Sequence, residues 1–132
     1  MIYGIGVDLV YIPRIASICD KHSRHFLKRI LSENELTYIK SLKFPLNSIA
    51  SRFAAKEAYS KALGCGIGEY AKFKEISIEK SGKGKPEVIL NGDTKKYLNK
   101  FFKENNKTNY YLQLSLSHDK DYAIAYIIIE LY

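Results

Sequence analysis

Met1–Val10, MIYGIGVDLV, is the stretch on which the fold turns. Alternation at a period of two is the mark of a strand, because successive side chains point to opposite faces. One face then carries Tyr3, Ile5, Val7 and Leu9, and the other carries Gly4, Gly6 and Asp8. Glycine weakens a strand, so a Gly-Gly-Asp face marks the close approach of another backbone, a ligand or a metal. A strand-end Asp that caps the following helix, or simply meets water, is the alternative reading of Asp8.

Pro13 suits the first turn of a helix running to about Asp20, and Ser23 is placed to cap a second helix through Ile30. Ser32 followed by Glu35 forms a capping box for a third helix, with Leu36, Ile39 and Leu42 on one face and Pro45 as its stop. Ser48–Leu63 is dense in helix formers and ends at Gly64, a residue suited to a left-handed C-terminal cap. Gly64, Gly66 and Gly68 make a loop, and strands are predicted over Phe73–Glu79 and Glu87–Leu90 around a turn at Ser81–Pro86. Asp93 is expected to cap a short basic helix, Thr94–Lys103. Tyr110–His118 and Tyr122–Leu131 read as a hairpin joined by Asp119-Lys120-Asp121. The last strand is apolar on both faces, which makes it central or part of a subunit contact. The order is α+β, with antiparallel strands packed against helices.

Composition sets the outer bounds. A chain of 132 residues, 46% hydrophobic and 27% charged, forms one compact domain over 1–132 that buries roughly two-thirds of its extended surface. The apolar start has no basic leader, and no apolar run approaches the ~18 residues of a membrane span, so a cytoplasmic location is expected. Cys19 and Cys65 stand apart without a CxxC spacing, which points to two reduced thiols. The net charge of +7 favours an anionic partner. The basic excess concentrates at Arg14, Lys21, Arg24, Lys28 and Arg29, a pattern shared by solvated helix faces and by sites for nucleic acid, an acidic protein or a membrane surface.

On the fourth helix, steps of 100° put Glu57 with Ala50, Phe53, Ala54 and Lys61, while Arg52, Lys56 and Tyr59 lie on another side. A carboxylate among small apolar residues is costly unless paired or metal-bound. An ordinary Glu57–Lys61 helix pair is the simpler reading. If Asp8 and Glu57 meet in space, two hard oxygen ligands with a lysine beside them suit Mg²⁺ bridging phosphate oxygens. His118 ends its strand on the face of Leu112, Leu114 and Leu116, a register in which a lone histidine is more often a packed strand-end residue than a catalyst.

Four motifs in order carry a resemblance. Ile5-Gly6-Val7-Asp8-Leu9-Val10, the helix Arg52-Phe53-Ala54-Ala55-Lys56-Glu57-Ala58 with Lys61-Ala62, the loop Gly64–Gly68, and Leu114-Ser115-Leu116-Ser117-His118 together resemble the holo-(acyl-carrier-protein) synthase family of 4′-phosphopantetheinyl transferases. The resemblance implies that Asp8 and Glu57 ligate Mg²⁺ with the diphosphate of coenzyme A, and that Lys61 touches that diphosphate. It implies a coenzyme A site that also includes Gly64, Gly66, Lys85, Pro86 near the adenine, Ser117, and His118 at the 3′-phosphate.

The reaction implied is attack by a carrier-protein serine on the phosphorus bearing pantetheine, releasing adenosine 3′,5′-bisphosphate and serving fatty acid biosynthesis. Glu57, Asp8 or a metal-bound water would take the serine proton. The family also implies a homotrimer with active sites between subunits. Its carrier proteins are acidic around that serine, so Arg14, Arg24 and Lys28 are expected to dock the carrier. A pI near 9.3 and 11 Tyr would also fit a nucleic-acid-binding domain, but Asp8 and Glu57 put carboxylates where a phosphate binder wants none, so no nucleic-acid partner is expected. A coenzyme A binder without transfer activity is the third reading.

Overall fold

A computed structural model describes all residues 1–132. The first strand, β1 (Ile2–Tyr11), leads into α1 (Ile12–Ile30), which is divided as expected into two helical pieces by a kink at His22, whose φ of −140° and ψ of 34° are not helical. The capping box forms as read: Ser32 accepts from the Glu35 N–H at 3.2 Å and Glu35 accepts from the Ser32 N–H at 2.9 Å, opening α2 (Glu33–Lys40). Leu42 falls beyond its end. The main helix α3 (Leu46–Leu63) starts directly after Pro45, two residues earlier than expected, and ends at Gly64 with φ 88°.

Phe73–Glu75 forms a 3₁₀ turn rather than strand, so β2 is confined to Ile76–Lys80, pairing with β3 (Pro86–Leu90) as a separate two-stranded antiparallel sheet. That turn has a purpose: it presents Glu75, whose carboxylate accepts from the Asp93 and Thr94 N–H groups at 3.2 and 3.0 Å and so caps α4 (Gly92–Glu104). Asp93, expected to be the cap, pairs instead with Lys72 at 3.0 Å. β4 (Tyr110–Asp119) and β5 (Tyr122–Leu131) form the expected hairpin, and the main sheet has the antiparallel order β1-β5-β4 with β5 central.

The core lies between α3 and one face of this sheet, to which β5 gives Ala123, Ala125, Ile127, Ile129 and Leu131. The opposite face of β1, including Ile5 and Leu9 at 54% and 61% exposure, has no cover within one chain. The side of α3 that carries Arg52, Lys56 and Tyr59 is also buried. Lys56 donates to Glu35 at 2.5 Å and to the Phe73 carbonyl at 2.8 Å, tying α2, α3 and the 3₁₀ turn together. Burial lowers its pKa to about 8 against the pull of Glu35. No helix is long and apolar enough to cross a membrane.

Candidate active site

The Gly-Gly-Asp face of β1 lies on the backbone of α3. A methyl group at Gly4 would fall on the carbonyl oxygen of Ala62, and one at Gly6 on that of Ala58. Two strand residues advance about 6.6 Å and four helix residues about 6 Å, so the two elements stay in step while running in opposite directions. The next residue on that face, Asp8, therefore comes to the helix turn that carries Glu57.

Asp8 and Glu57 line one cavity of about 280 Å³ with Arg14, Ile15, Ile18 and Phe53. Lys61 does not hold Glu57 as a helix pair; its Nζ donates to Asp8 Oδ1 at 2.9 Å and to the Val7 carbonyl at 3.2 Å. Burial, and then the Asp8 charge, push the Glu57 pKa up, with Lys61 opposing both. Glu57, costly to ionise beside the Asp8 charge and next to a cavity, forms with Asp8 a hard oxygen donor set that a divalent cation would relieve. The donor set fits Mg²⁺.

A second cavity of about 210 Å³ lies at the other end of α3, lined by Asn47, Ser48, Arg52, Lys80, Pro86 and His118 among others. Pro45 supplies no side-chain cap, so the positive end of α3 is open beside this cavity. Arg52 is buried, its Nε finds no hydrogen-bond partner, and burial lowers its pKa while Glu35 raises it. Three basic side chains and a helix N-terminus, set against the one carboxylate of Glu79, make this cavity suited to an anion.

The remaining site expectations fall around these two cavities. Lys85 lines a neighbouring groove together with Pro86, Tyr110 and Tyr111. Ser117 and His118 are adjacent in β4 and project to opposite faces of the sheet, so only His118 reaches the basic cavity. Gly64 and Gly66 sit beyond Lys61 with φ 88° and 70°, outside both cavities. Arg14 borders the carboxylate cavity, while Arg24 and Lys28 are exposed on α1 beyond the kink. Arg52 as a cavity-lining cation, with Tyr38 and Glu35 beside it, was not legible, because burial of that side of α3 depends on α2, which only the tertiary fold brings there.

The chain's likeness to known proteins extends over nearly its whole length. A holo-[acyl-carrier-protein] synthase of Clostridium kluyveri is 44% identical over 98% of this chain and 91% of its own. The crystal structure of the Neisseria meningitidis holo-[acyl-carrier-protein] synthase superposes with a TM-score of 0.85 at 37% identity, covering 98% of this chain and 99% of that one. The Bacillus anthracis holo-(acyl-carrier-protein) synthase, solved in complex with CoA (3′,5′-ADP), gives a TM-score of 0.78 at 38% identity over 98% and 96% of the two chains. Residues 4–127 match the family directly, and the chain belongs to the 4′-phosphopantetheinyl transferase superfamily.

Proposed function

We propose that residues 1–132 act as one holo-(acyl-carrier-protein) synthase domain, moving the 4′-phosphopantetheine group of coenzyme A to a serine of an acidic apo acyl carrier protein. The observation that carries this reading is the seating of Gly4 and Gly6 on α3, which brings Asp8 to a cavity it shares with Glu57 and within hydrogen-bond reach of Lys61. Asp8 and Glu57 would hold Mg²⁺, which when bound neutralises charge on the diphosphate and orients it.

The serine hydroxyl gives its proton to a carboxylate of the site, Glu57 or Asp8, as its oxygen forms a bond to the phosphorus bearing pantetheine; the bond from that phosphorus to the bridging diphosphate oxygen breaks, and adenosine 3′,5′-bisphosphate leaves with the negative charge. Lys61, whose side chain is 53% exposed, has the freedom to move from Asp8 to the diphosphate and stabilise that charge. Arg14, at the rim, meets the acidic carrier, and Arg24 and Lys28 extend the basic surface along α1. Arg52, Lys80 and His118 take the 3′-phosphate, with Pro86 near the adenine.

Within one chain the carboxylate cavity and the basic cavity have only separate linings. A single coenzyme A spans both if copies assemble in a ring, and the bare apolar face of β1 and β5, with Ile5, Val7, Leu9, Ile124 and Tyr126 exposed, supports a homotrimer built through that face. Light scattering of the purified protein tests this, with a trimer for the native chain and monomer for Ile5→Lys. Cys19 and Cys65 are free thiols, in keeping with a place in the reducing cytoplasm and a role in fatty acid biosynthesis. The direct test incubates the protein with apo carrier, coenzyme A and Mg²⁺ and weighs the carrier. A mass gain of one phosphopantetheine that vanishes with chelator or with Asp8→Ala is expected; a carrier unchanged in mass overturns the proposal.

A further inference from the structure

Tyr38, on α2, reaches the basic cavity through the cations that line it. Its ring centre is 4.7 Å from the Arg52 guanidinium carbon and 5.3 Å from Lys80 Nζ, so one aromatic ring serves two cations. Both cations line the His118 cavity, and with Tyr38 they also line an adjoining cavity of about 220 Å³; the Glu79 carboxylate lines both and accepts from Asn34 Nδ2 at 3.4 Å, and Glu35 lines the second.

Arg52 has little else to hold it. Its Nε lies 3.7 Å from Glu35 Oε2 with no hydrogen bond, and its Nη1 donates to the Ser48 carbonyl at 3.4 Å. Glu35 is already engaged: Oε1 accepts from the Ser32 N–H at 2.9 Å and from Lys56 at 2.5 Å, and Oε2 accepts from the Ile78 N–H at 3.0 Å.

An aromatic ring attracts a cation with its face, whereas a carboxylate would consume the N–H donors and compete with an incoming anion. A guanidinium stacked on a ring keeps its in-plane donors for a ligand. Two neighbouring cations also repel each other, and the ring offsets part of that repulsion without neutralising the site. We propose that Tyr38 is a positioning residue that gathers Arg52 and Lys80 with its ring face and presents them to a phosphate monoester. The proposal rests on the reading that this cavity takes the 3′-phosphate of coenzyme A.

The test is calorimetric titration of the full chain, in its native assembly, with adenosine 3′,5′-bisphosphate and with adenosine 5′-monophosphate, which lacks the 3′-phosphate. Tyr38→Leu should weaken bisphosphate binding roughly 5- to 30-fold and leave the monophosphate within about twofold, whereas Tyr38→Phe should keep the preference. Fluorinated phenylalanines at position 38 carry the same test without loss of shape: the preference should fall step by step as fluorine withdraws charge from the ring face.

An unchanged bisphosphate affinity in Tyr38→Leu, an equal loss for both ligands, a loss in Tyr38→Phe as large as in Tyr38→Leu, or a flat fluorine series overturns the proposal. Arg52→Gln separates the two levels of inference. If it removes the preference while Tyr38→Leu does not, the cavity reading stands and Tyr38 falls; if it leaves the preference intact, the cavity reading falls and takes Tyr38 with it.

Discussion

Gly6→Ala tests the link between strand packing and chemistry. An added methyl would fall on the Ala58 carbonyl oxygen, with the Ala58 carbonyl carbon at 2.8 Å and the Ala62 nitrogen at 2.7 Å, all backbone atoms of α3. Ordinary contact begins at 3.4 Å, so even the 2.7 Å neighbour requires a separation of about 0.7 Å. No rotamer change can absorb this; strand and helix must part. Overpacking of this kind costs about 1–3 kcal/mol, and a chain of 132 residues loses about 4 °C per kcal/mol, so Tm should drop by roughly 4–12 °C.

The same movement draws Asp8, two residues on, away from Glu57. A displacement near 1 Å costs on the order of 100-fold in rate, so kcat for carrier modification should fall by about that factor even well below the new Tm. Gly82→Ala is the control, since a methyl there meets nothing within 4 Å and the backbone is not left-handed. Thermal melts followed by circular dichroism, and carrier modification followed by mass spectrometry, read both effects. Equal Tm and equal activity for Gly6→Ala and Gly82→Ala would refute the reasoning.

Three other outcomes follow from named contacts. Lys56→Met leaves the buried Glu35 carboxylate with only Arg52 Nε, at 3.7 Å and not hydrogen-bonded, as a counter-charge and should cost up to about 3–5 kcal/mol in chemical denaturation, while adding Glu35→Gln should recover much of the loss; equal stability of the two variants would contradict the pairing. Glu57 titrates above its ordinary 4.5, so the fold binds its proton more tightly than the unfolded chain does, and its contribution to stability is full below 4.5 and lost as pH rises through the raised value. Asp8→Asn removes the second cause of that rise and should move the Glu57 carboxyl carbon's NMR titration to lower pH; an unmoved curve would show that the two carboxylates do not sense each other. Arg14→Glu should lower kcat/KM for the carrier far more than for coenzyme A, and equal losses would count against Arg14 as a docking residue.

Much of the fold was legible because local rules and tertiary packing agree where they can be compared. The Gly4-Gly6-Asp8 alternation announced a close approach, and the approach is that of the α3 backbone. Ser32 with Glu35, and Gly64 at a left-handed cap, needed only local hydrogen bonding and φ. The errors arose where a distant residue took over a local role: Glu75 caps α4 in place of Asp93, and Lys61 turns to Asp8 rather than Glu57. Glu35 shows the limit most clearly. Its capping-box role is visible from spacing, but its reception of Lys56 and the Ile78 N–H depends on α3 and β2 folding over it. The facing of Ser117 away from His118 follows from period two alone.

The central claim is that Asp8 and Glu57 share one divalent ion against the diphosphate of coenzyme A. Crystals grown with coenzyme A and Mn²⁺, a stand-in for Mg²⁺ with an anomalous signal, measure this directly. An anomalous peak about 2.1–2.2 Å from a carboxylate oxygen of each residue and from a phosphate oxygen is the predicted result. A bound coenzyme A whose diphosphate lies against Lys61 with no peak shared by Asp8 and Glu57 would contradict it.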